Sequence, residues 1–181
     1  RWPSWPIRHF ASVNSVHKPV QQRRIALFSL SATPGDPMLI RLTYASRATN
    51  GVSSQLIRDI LDSSQRNNPA KGLTGMLCCN AEIFLQVLEG PRAAVNELYT
   101  RLADDHRHKD LTILDYAEIS ARRYANWSMG WAGAKQSNRE LFLKYSCSDR
   151  FDPFSMHAEQ IRGLLLELED NVSAIKQPLI D

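Results

Sequence analysis

The segment spanning residues 73–89, LTGMLCCNAEIFLQVLE, decides the fold class of this chain. It contains two apolar runs, residues 73–79 and 83–89, joined by the short link Asn80-Ala81-Glu82. Apolar runs of this length, separated by so few residues, are typical of the two strands of a β-hairpin. A lone hairpin is barely stable in water, so we expect further elements on both sides of it.

A strand and a helix precede the hairpin. Residues 39–45, LIRLTYA, alternate apolar and polar side chains and predict a strand. A turn at Asn50-Gly51 follows, and Ser53 or Ser54 can cap the next helix. That helix should end before Pro69, which disfavours helix in the preceding residue. Its apolar face comprises Leu56, Ile57, Ile60 and Leu61.

A second helix and two more strands follow the hairpin. Gly90-Pro91 begins this helix, because proline is favoured in a first turn. Residues 111–119 and 127–132 are predicted to be strands. Two later amphipathic segments, residues 139–145 and 156–170, predict helices that cap the free face of the sheet or mediate assembly. The apolar face of the second helix comprises Val95, Leu98, Tyr99 and Leu102.

The predicted element order is therefore β-α-β-β-α-β-β, followed by two C-terminal helices. This order predicts an α+β, ferredoxin-like fold with one extra strand, in which two helices pack on one face of a mostly antiparallel sheet. We place the domain at residues 38–133 and a C-terminal helical extension at residues 134–181.

Residues 1–37 differ from the rest of the chain. They contain five prolines and no hydrophobic periodicity, so we expect a disordered N-terminal extension, with folding beginning at Met38. Upstream translation, a fusion remnant and a targeting segment are all compatible with its composition. Five basic residues and one acidic residue give it a formal charge of +4. The remaining 17 basic and 18 acidic residues sum to −1, which does not favour nucleic-acid binding.

The sequence carries few signs of enzymatic chemistry. It contains no GxSxG, HExxH, P-loop or GxGxxG motif, and we predict that the chain is not an enzyme. His106 and His108 are expected at the end of a helix, where they would point to different sides, so we predict no metal site. Three cysteines without metal-site spacing favour thiols in a reducing cytoplasm. No apolar run approaches the roughly 18 residues of a membrane span.

Two polar side chains stand on apolar strand faces. Alternation places Tyr44 beside Ile40 and Leu42, and it places Gln86 beside Phe84. A buried amide without a hydrogen bond is destabilising by a few kcal/mol, so Gln86 must have a partner. A structural hydrogen bond and an amide that faces a ligand explain this pattern equally well. Residues 63–68, SSQRNN, are compatible with a plain polar helix end or with side chains that bind a heterocycle.

Several ordered motifs together resemble the signature of the BLUF (blue light using flavin) family. They are SSQRNNP at 63–69, GLTG at 72–75, FLQVLEG at 84–90, RRY at 122–124 and WSM at 127–129. The C-terminal segments further resemble short stand-alone bacterial BLUF photosensors, which have two extra helices and no output enzyme. The resemblance implies a blue-light photoreceptor that binds FAD non-covalently, with FMN and riboflavin as alternatives. It also implies a homo-oligomer and a response-regulator-like protein partner.

The resemblance implies a role for individual residues. Tyr44 matches the electron and proton donor, Gln86 the glutamine that bridges it to the flavin, and Trp127 and Met129 the final-strand pair that exchanges places near Gln86. We expect apolar walls from Ile60, Leu61, Val95 and Leu98. The implied flavin-binding residues are Tyr44, Ile60, Ser64, Asn67, Asn68, Gln86, Arg101, Asp105 and His108. A flavin-dependent oxidoreductase and a ferredoxin-like binding module without flavin are the alternative functions.

Overall fold

The computed structural model describes residues 38–134, 138–169 and 173–176. The predicted extension at residues 1–37 lies outside these ranges, and the domain limits stay predictions. The described elements, in chain order, are β1 (Leu39–Ala48), α1 (Ser54–Asn67), β2 (Thr74–Cys79), β3 (Ile83–Pro91), α2 (Arg92–Ala103), β4 (His108–Glu118), β5 (Trp127–Gly133), α3 (Arg139–Tyr145), α4 (Ala158–Leu168) and β6 (Ser173–Lys176).

The strands form one sheet in the order β4-β1-β3-β2-β5-β6. All neighbours pair antiparallel except β2 and β5, which run parallel. The predicted hairpin is confirmed as β2 and β3, and the predicted α+β, ferredoxin-like order is confirmed through β5. The short strand β6, which extends the edge beyond β5, was not predicted.

Local side-chain caps fix where the first elements begin and end. The Ser53 hydroxyl accepts the backbone N–H of Leu56 at 3.1 Å and starts α1, as predicted. In the hairpin link, Asn80 Oδ1 accepts the backbone N–H groups of Glu82 and Ile83 at 2.8 and 2.7 Å. The Asn80 side chain thus accepts the backbone N–H groups of the turn and stabilises it.

Strand pairing overrides the helical predictions around the second helix. Gly90 and Pro91 lie in β3, where they pair with Ile40 and Leu39, and α2 begins only at Arg92. The prediction that the two histidines lie at a helix end is wrong. His108 is the first residue of β4 because it pairs with Ala48, and His106 precedes it in a turn.

The sheet has an apolar cluster on each face. The cleft face, which α1 and α2 cover, carries Tyr44, Phe84 and Cys79. The capped face, which α3 and α4 cover, carries Val87 and Cys78. The adjacent cysteines therefore point to opposite faces, as predicted, and the C-terminal helices cover the free face of the sheet. The buried helical residues on the capped face are Phe142, Ile161, Leu164, Leu165 and Leu168.

Candidate functional site

A cleft of about 310 Å³ opens on the cleft face. This volume lies at the lower end of the range for small-molecule sites, which is about 300–1,000 Å³. All nine residues predicted to bind a flavin line it: Tyr44, Ile60, Ser64, Asn67, Asn68, Gln86, Arg101, Asp105 and His108. The structure thus brings together side chains from two strands, two helices and the start of a third strand.

A chain of polar contacts crosses the floor of the cleft. Tyr44 and Gln86 are direct partners in the β1–β3 ladder, which places their side chains on the same face. The Tyr44 hydroxyl donates a hydrogen bond to Gln86 Oε1, and Gln86 Nε2 lies 3.4 Å from the sulfur of Met129 on β5. All three residues are at most 6% exposed. Gln86 therefore has the partners that a buried amide requires.

Tyr44 is a neutral hydrogen-bond donor in this setting. Burial, with smaller contributions from Tyr99 and Asp105, raises the pKa of Tyr44 well above its ordinary value. The ring of Tyr99 on α2 meets the ring of Tyr44 edge-on, with centroids 5.6 Å apart. The phenol thus keeps its proton across the physiological pH range, and its orientation is fixed by a contact with α2.

Two adjacent asparagines at the end of α1 behave differently. Asn68 is buried, and its Nδ2 donates to the backbone carbonyl of Ser128 on β5 at 2.7 Å. Within the described residues, Asn68 Oδ1 forms no hydrogen bond, so it is available at the cleft. Asn67 is exposed, and its Nδ2 donates back to the Ser63 carbonyl at 2.8 Å.

The far end of the cleft is charged. Arg107 hydrogen-bonds Asp105 and is the main cause that lowers the pKa of this carboxyl to about 2. Burial lowers the pKa of His108, whose Nδ1 lies 2.9 Å from the buried Ser46 hydroxyl. Arg101 is more than half exposed at the same end. Asp105 therefore stays ionised and His108 neutral at physiological pH.

The final-strand pair is split between the two faces. Met129 contacts Gln86 on the cleft face, whereas Trp127 packs in the cluster of the capped face. The Trp127 ring stacks on Tyr124 with centroids 5.6 Å apart. A register shift against β6 falls between Trp127 and Met129 and breaks the alternation that would place them together. Met129, not Trp127, is therefore the neighbour of Gln86.

Of the four predicted walls, Ile60 and Leu98 line the cleft, while Leu61 and Val95 pack in the same cluster behind them. Sequence reasoning missed several other lining residues. Strand alternation with Gln86 could have found Phe84, but no periodic signal marks Arg107, which lies in a turn between α2 and β4. The missed lining residues are Asp59, Ser63, Lys71, Leu77, Phe84, Leu102 and Arg107.

The described ranges also bear on metal sites and membrane spans. No group of three or more His, Cys, Asp or Glu side chains in those ranges could hold a metal ion. None of the described helices is long and apolar enough to cross a membrane.

Residues 39–130 match the family model of BLUF, described as sensors of blue-light using FAD. This chain belongs to the BLUF family. The match spans β1 to β5 and contains every predicted site residue. The resemblance predicted from the sequence motifs is therefore confirmed, and the family's members are flavin-using sensors of blue light.

The BLUF domain is similar to parts of much longer curated proteins. One is the photoactivated adenylate cyclase subunit beta-like protein FB of Euglena gracilis, 37% identical over 125 residues. Another is the photoactivated adenylate cyclase subunit beta of Euglena longa, 38% identical over 102 residues. The alignments cover 68% and 56% of this chain but only 14% and 12% of those proteins. The chain therefore spans about one eighth of the length of these relatives.

Solved structures of similar size match along nearly their whole length. The photo-activated state of BlsA matches with a TM-score of 0.67 and 28% identity, covering 72% of this chain and 94% of that one. The dark-state structure of BlrB, a BLUF protein, matches with a TM-score of 0.62 and 30% identity, covering 75% of this chain and 98% of that one. These likenesses include the arrangement of sheet and helices described above.

Proposed function

We propose that this BLUF domain is a blue-light receptor that holds a flavin in the cleft between α1 and α2. The observation that carries the proposal is the convergence of Tyr44, Gln86 and Asn68 on one cleft of suitable size. A flavin ring needs apolar walls and a few hydrogen-bonding groups at its edge. Ile60 and Leu98 supply such walls.

The donor and acceptor groups suit the polar edge of a flavin ring. The Gln86 amide has its oxygen engaged by Tyr44, and among the described residues its Nε2 has only the thioether of Met129 as a partner, so an N–H remains for a ligand. Asn68 Oδ1 supplies an acceptor nearby, since its Nδ2 is held by Ser128. One donor and one acceptor fit a ring that exposes both a carbonyl oxygen and an N–H.

FAD is the flavin that we propose, with FMN and riboflavin as alternatives. The charged end of the cleft carries Arg101, Arg107 and Lys71, which can face phosphate groups. Acidic partners partly offset them, because Asp105 pairs with Arg107 and Glu97 pairs with both Lys71 and Arg101. A phosphorylated flavin should therefore bind more tightly than riboflavin.

The chain's own residues provide the switch. When bound, the flavin supplies blue-light absorption and an excited ring that accepts an electron. We propose Tyr44 as the donor of this electron and of its hydroxyl proton. The Gln86 amide can then rotate or tautomerise, which exchanges donor for acceptor without moving charge. Its contact with Met129 is weak, because a thioether is a poor acceptor, so within the described residues the hydrogen bond from Tyr44 is the main contact that orients the amide.

We propose that the output is a protein contact and not catalysis by the domain. Met129 touches Gln86 and lies on β5, which carries Asn68's partner Ser128 as well. A changed amide therefore reaches β5 directly. A homo-oligomer and a response-regulator-like partner in the cytoplasm are the proposed recipients. The names of the Euglena relatives include adenylate cyclases, so an attached effector is a further possible recipient.

The test is an absorption spectrum of the purified protein in darkness and after blue light. We expect a flavin band at about 450 nm that shifts slightly to the red and recovers in darkness. Reversed-phase chromatography of the released cofactor then identifies FAD, FMN or riboflavin. The red shift is expected because a flavin carbonyl gains a hydrogen bond when the Gln86 amide rearranges.

The other two outcomes select the alternative functions. A flavin that bleaches under light without a red-shifted state would indicate an oxidoreductase. A colourless protein that takes up no added flavin would leave a ferredoxin-like binding module, and the proposal would be wrong.

A further inference from the structure

A second cavity, which we call the arginine groove, lies on the capped face and has a volume of about 330 Å³. Strand β1, the loop of residues 121–124 and helix α4 form its walls. Four arginines from these three elements line it: Arg41, Arg122, Arg123 and Arg162. The groove does not share a residue with the cleft.

The arginines face solvent while their carboxylate partners lie beneath them. The side chain of Arg41 is 21% exposed and that of its partner Glu89 is 0% exposed. The corresponding values are 46% and 17% for Arg123 and Glu169, and 41% and 12% for Arg162 and Asp115. In each pair the cation is the more accessible group, so an approaching molecule meets positive charge first.

Arg122 adds a cation that forms no ion pair among the described residues. Its guanidinium donates to the carbonyl oxygens of Glu89 and Gly72 at 2.8 and 2.6 Å and to the Thr74 hydroxyl at 3.0 Å. These neutral acceptors hold the side chain in place without cancelling its charge. The groove therefore carries four cations against three largely covered carboxylates.

Apolar side chains accompany the cations. Val87 and Leu165 line the groove, and Leu166 beside them is 41% exposed. Thr43 is only 1% exposed and lines the groove, and within the described residues its hydroxyl forms no hydrogen bond. A ligand would thus find charge, an apolar surface and an unused hydroxyl in one place.

We propose that the arginine groove docks an acidic segment of a partner protein that also carries apolar side chains. Guanidinium groups match carboxylates geometrically, and arginine is enriched at protein interfaces. The exposed leucine favours a peptide over a plain polyanion, which would leave this apolar surface uncovered. Docking follows from the surface alone, whereas its dependence on light rests on the proposed photoreceptor function.

The groove is tied to the strand that carries Gln86. Glu89, three residues after Gln86 on β3, accepts the backbone N–H groups of Arg123 and Tyr124 at 2.8 and 3.0 Å. The same loop leads into β5, where Met129 contacts Gln86. The loop of residues 121–124 is thus hydrogen-bonded to β3 and continues into β5, and both strands contribute to the contact between Gln86 and Met129. We therefore expect light to change the affinity of the groove for the docked segment.

The experiment measures fluorescence anisotropy of a short labelled peptide of alternating glutamate and leucine, in darkness and under blue light. We expect saturable binding that weakens about fivefold in Arg162→Gln and in Arg123→Gln. Arg162→Lys should weaken binding less than Arg162→Gln, because the charge remains but the paired donors of the guanidinium are lost. Arg139→Gln is the matched control, since Arg139 is an exposed arginine in an ion pair on α3, outside the groove.

Several results would overturn the proposal. One is the absence of saturable binding, and another is that Arg139→Gln weakens binding as much as the groove variants do. The others are an affinity for a lysine–leucine peptide or for single-stranded DNA that equals the affinity for the glutamate–leucine peptide. Light scattering that shows a homo-oligomer broken by Arg162→Gln would assign the groove to a second copy of this chain instead. Spectra of the same samples separate the two proposals: absence of peptide binding in the parent protein, with its red shift intact, contradicts only the groove.

Discussion

The neighbouring residues Gln86 and Val87 of β3 face opposite sides of the sheet and meet different environments. On the cleft face, Gln86 lies among polar groups at a cleft that remains open beside two helices. On the capped face, Val87 packs in a continuous apolar cluster beneath the C-terminal helices. Because successive side chains of β3 point to opposite faces, Gln86 faces the cleft while Val87 packs in the core that stabilises the fold.

We expect the apolar packing beneath α4 to persist while the Gln86 amide on the cleft face changes its hydrogen bonds. Fully buried aliphatic side chains such as Ile161 and Leu164 lock α4 onto the sheet. An amide that turns on the other face then acts on β5 without removing this packing. Substitutions that affect one face and spare the other are the direct test of this division.

The largest expected effect is loss of signalling in Gln86→Ala. This variant should retain bound flavin but show no red shift, because the amide that changes its hydrogen bond is gone. The measurement is the light-minus-dark absorption difference. Val87→Ala is the control on the opposite face, and it should keep the red shift while losing about 2 kcal/mol of unfolding free energy. A normal red shift in Gln86→Ala would contradict the switch assignment.

The next effect is a loss of stability without a loss of photochemistry in Leu164→Ala. Removing this fully buried side chain should lower the free energy of unfolding by about 2–5 kcal/mol, because it leaves a cavity under α4. Urea unfolding measures the change. Leu143→Ala on α3 is the matched control, since that leucine is 51% exposed and should change stability by less than about 0.5 kcal/mol. Disappearance of the red shift in folded Leu164→Ala would show that the faces are not separable.

A smaller effect is expected at the end of α1. Asn68→Ala removes the hydrogen bond to the Ser128 carbonyl and should be destabilising by about 1–3 kcal/mol. It should also weaken flavin binding by about tenfold, because the Oδ1 acceptor is lost. Flavin titration and thermal unfolding measure these changes. Asn67→Ala, at the exposed neighbour, should change flavin affinity and stability far less. Equal effects of the two substitutions would contradict the assignment of Asn68 to the flavin site.

The smallest effect concerns pH. Burial lowers the pKa of His108 below its usual 6.5, so the folded state binds protons less readily than the unfolded state. Its contribution to stability is therefore present above about pH 6.5 and is lost as pH falls through the folded-state pKa. Tm should decline over this acidic range in the parent protein and less in His108→Gln. The exposed His106→Gln is the control, and an unchanged decline in His108→Gln would contradict the assignment.

The periodic parts of the fold were predictable, and the parts set by tertiary pairing were not. Alternation in β1 and β3 correctly placed Tyr44 and Gln86 on one face, because strand geometry fixes that relation locally. The orientations of Trp127 and Met129 were not predictable from alternation, because a register shift against β6 falls between them. The prediction that this strand begins at residue 111 was wrong, because β4 begins at His108. Pairing with Ala48, and not local propensity, determines this start. Arg107, in a turn, had no periodic signal at all.

The parallel pairing of β5 with β2 has a consequence for how the protein is made. Met76 pairs with Gly130, 54 residues later, whereas the β2–β3 hairpin pairs residues that are close in sequence, such as Cys79 and Phe84. Distant pairings of this kind form slowly, since a long loop must close first. Until β5 docks, Gln86 lacks Met129 and Asn68 lacks Ser128. We therefore expect sensitivity to light to be the last property that a newly synthesised chain acquires, after the hairpin has already folded.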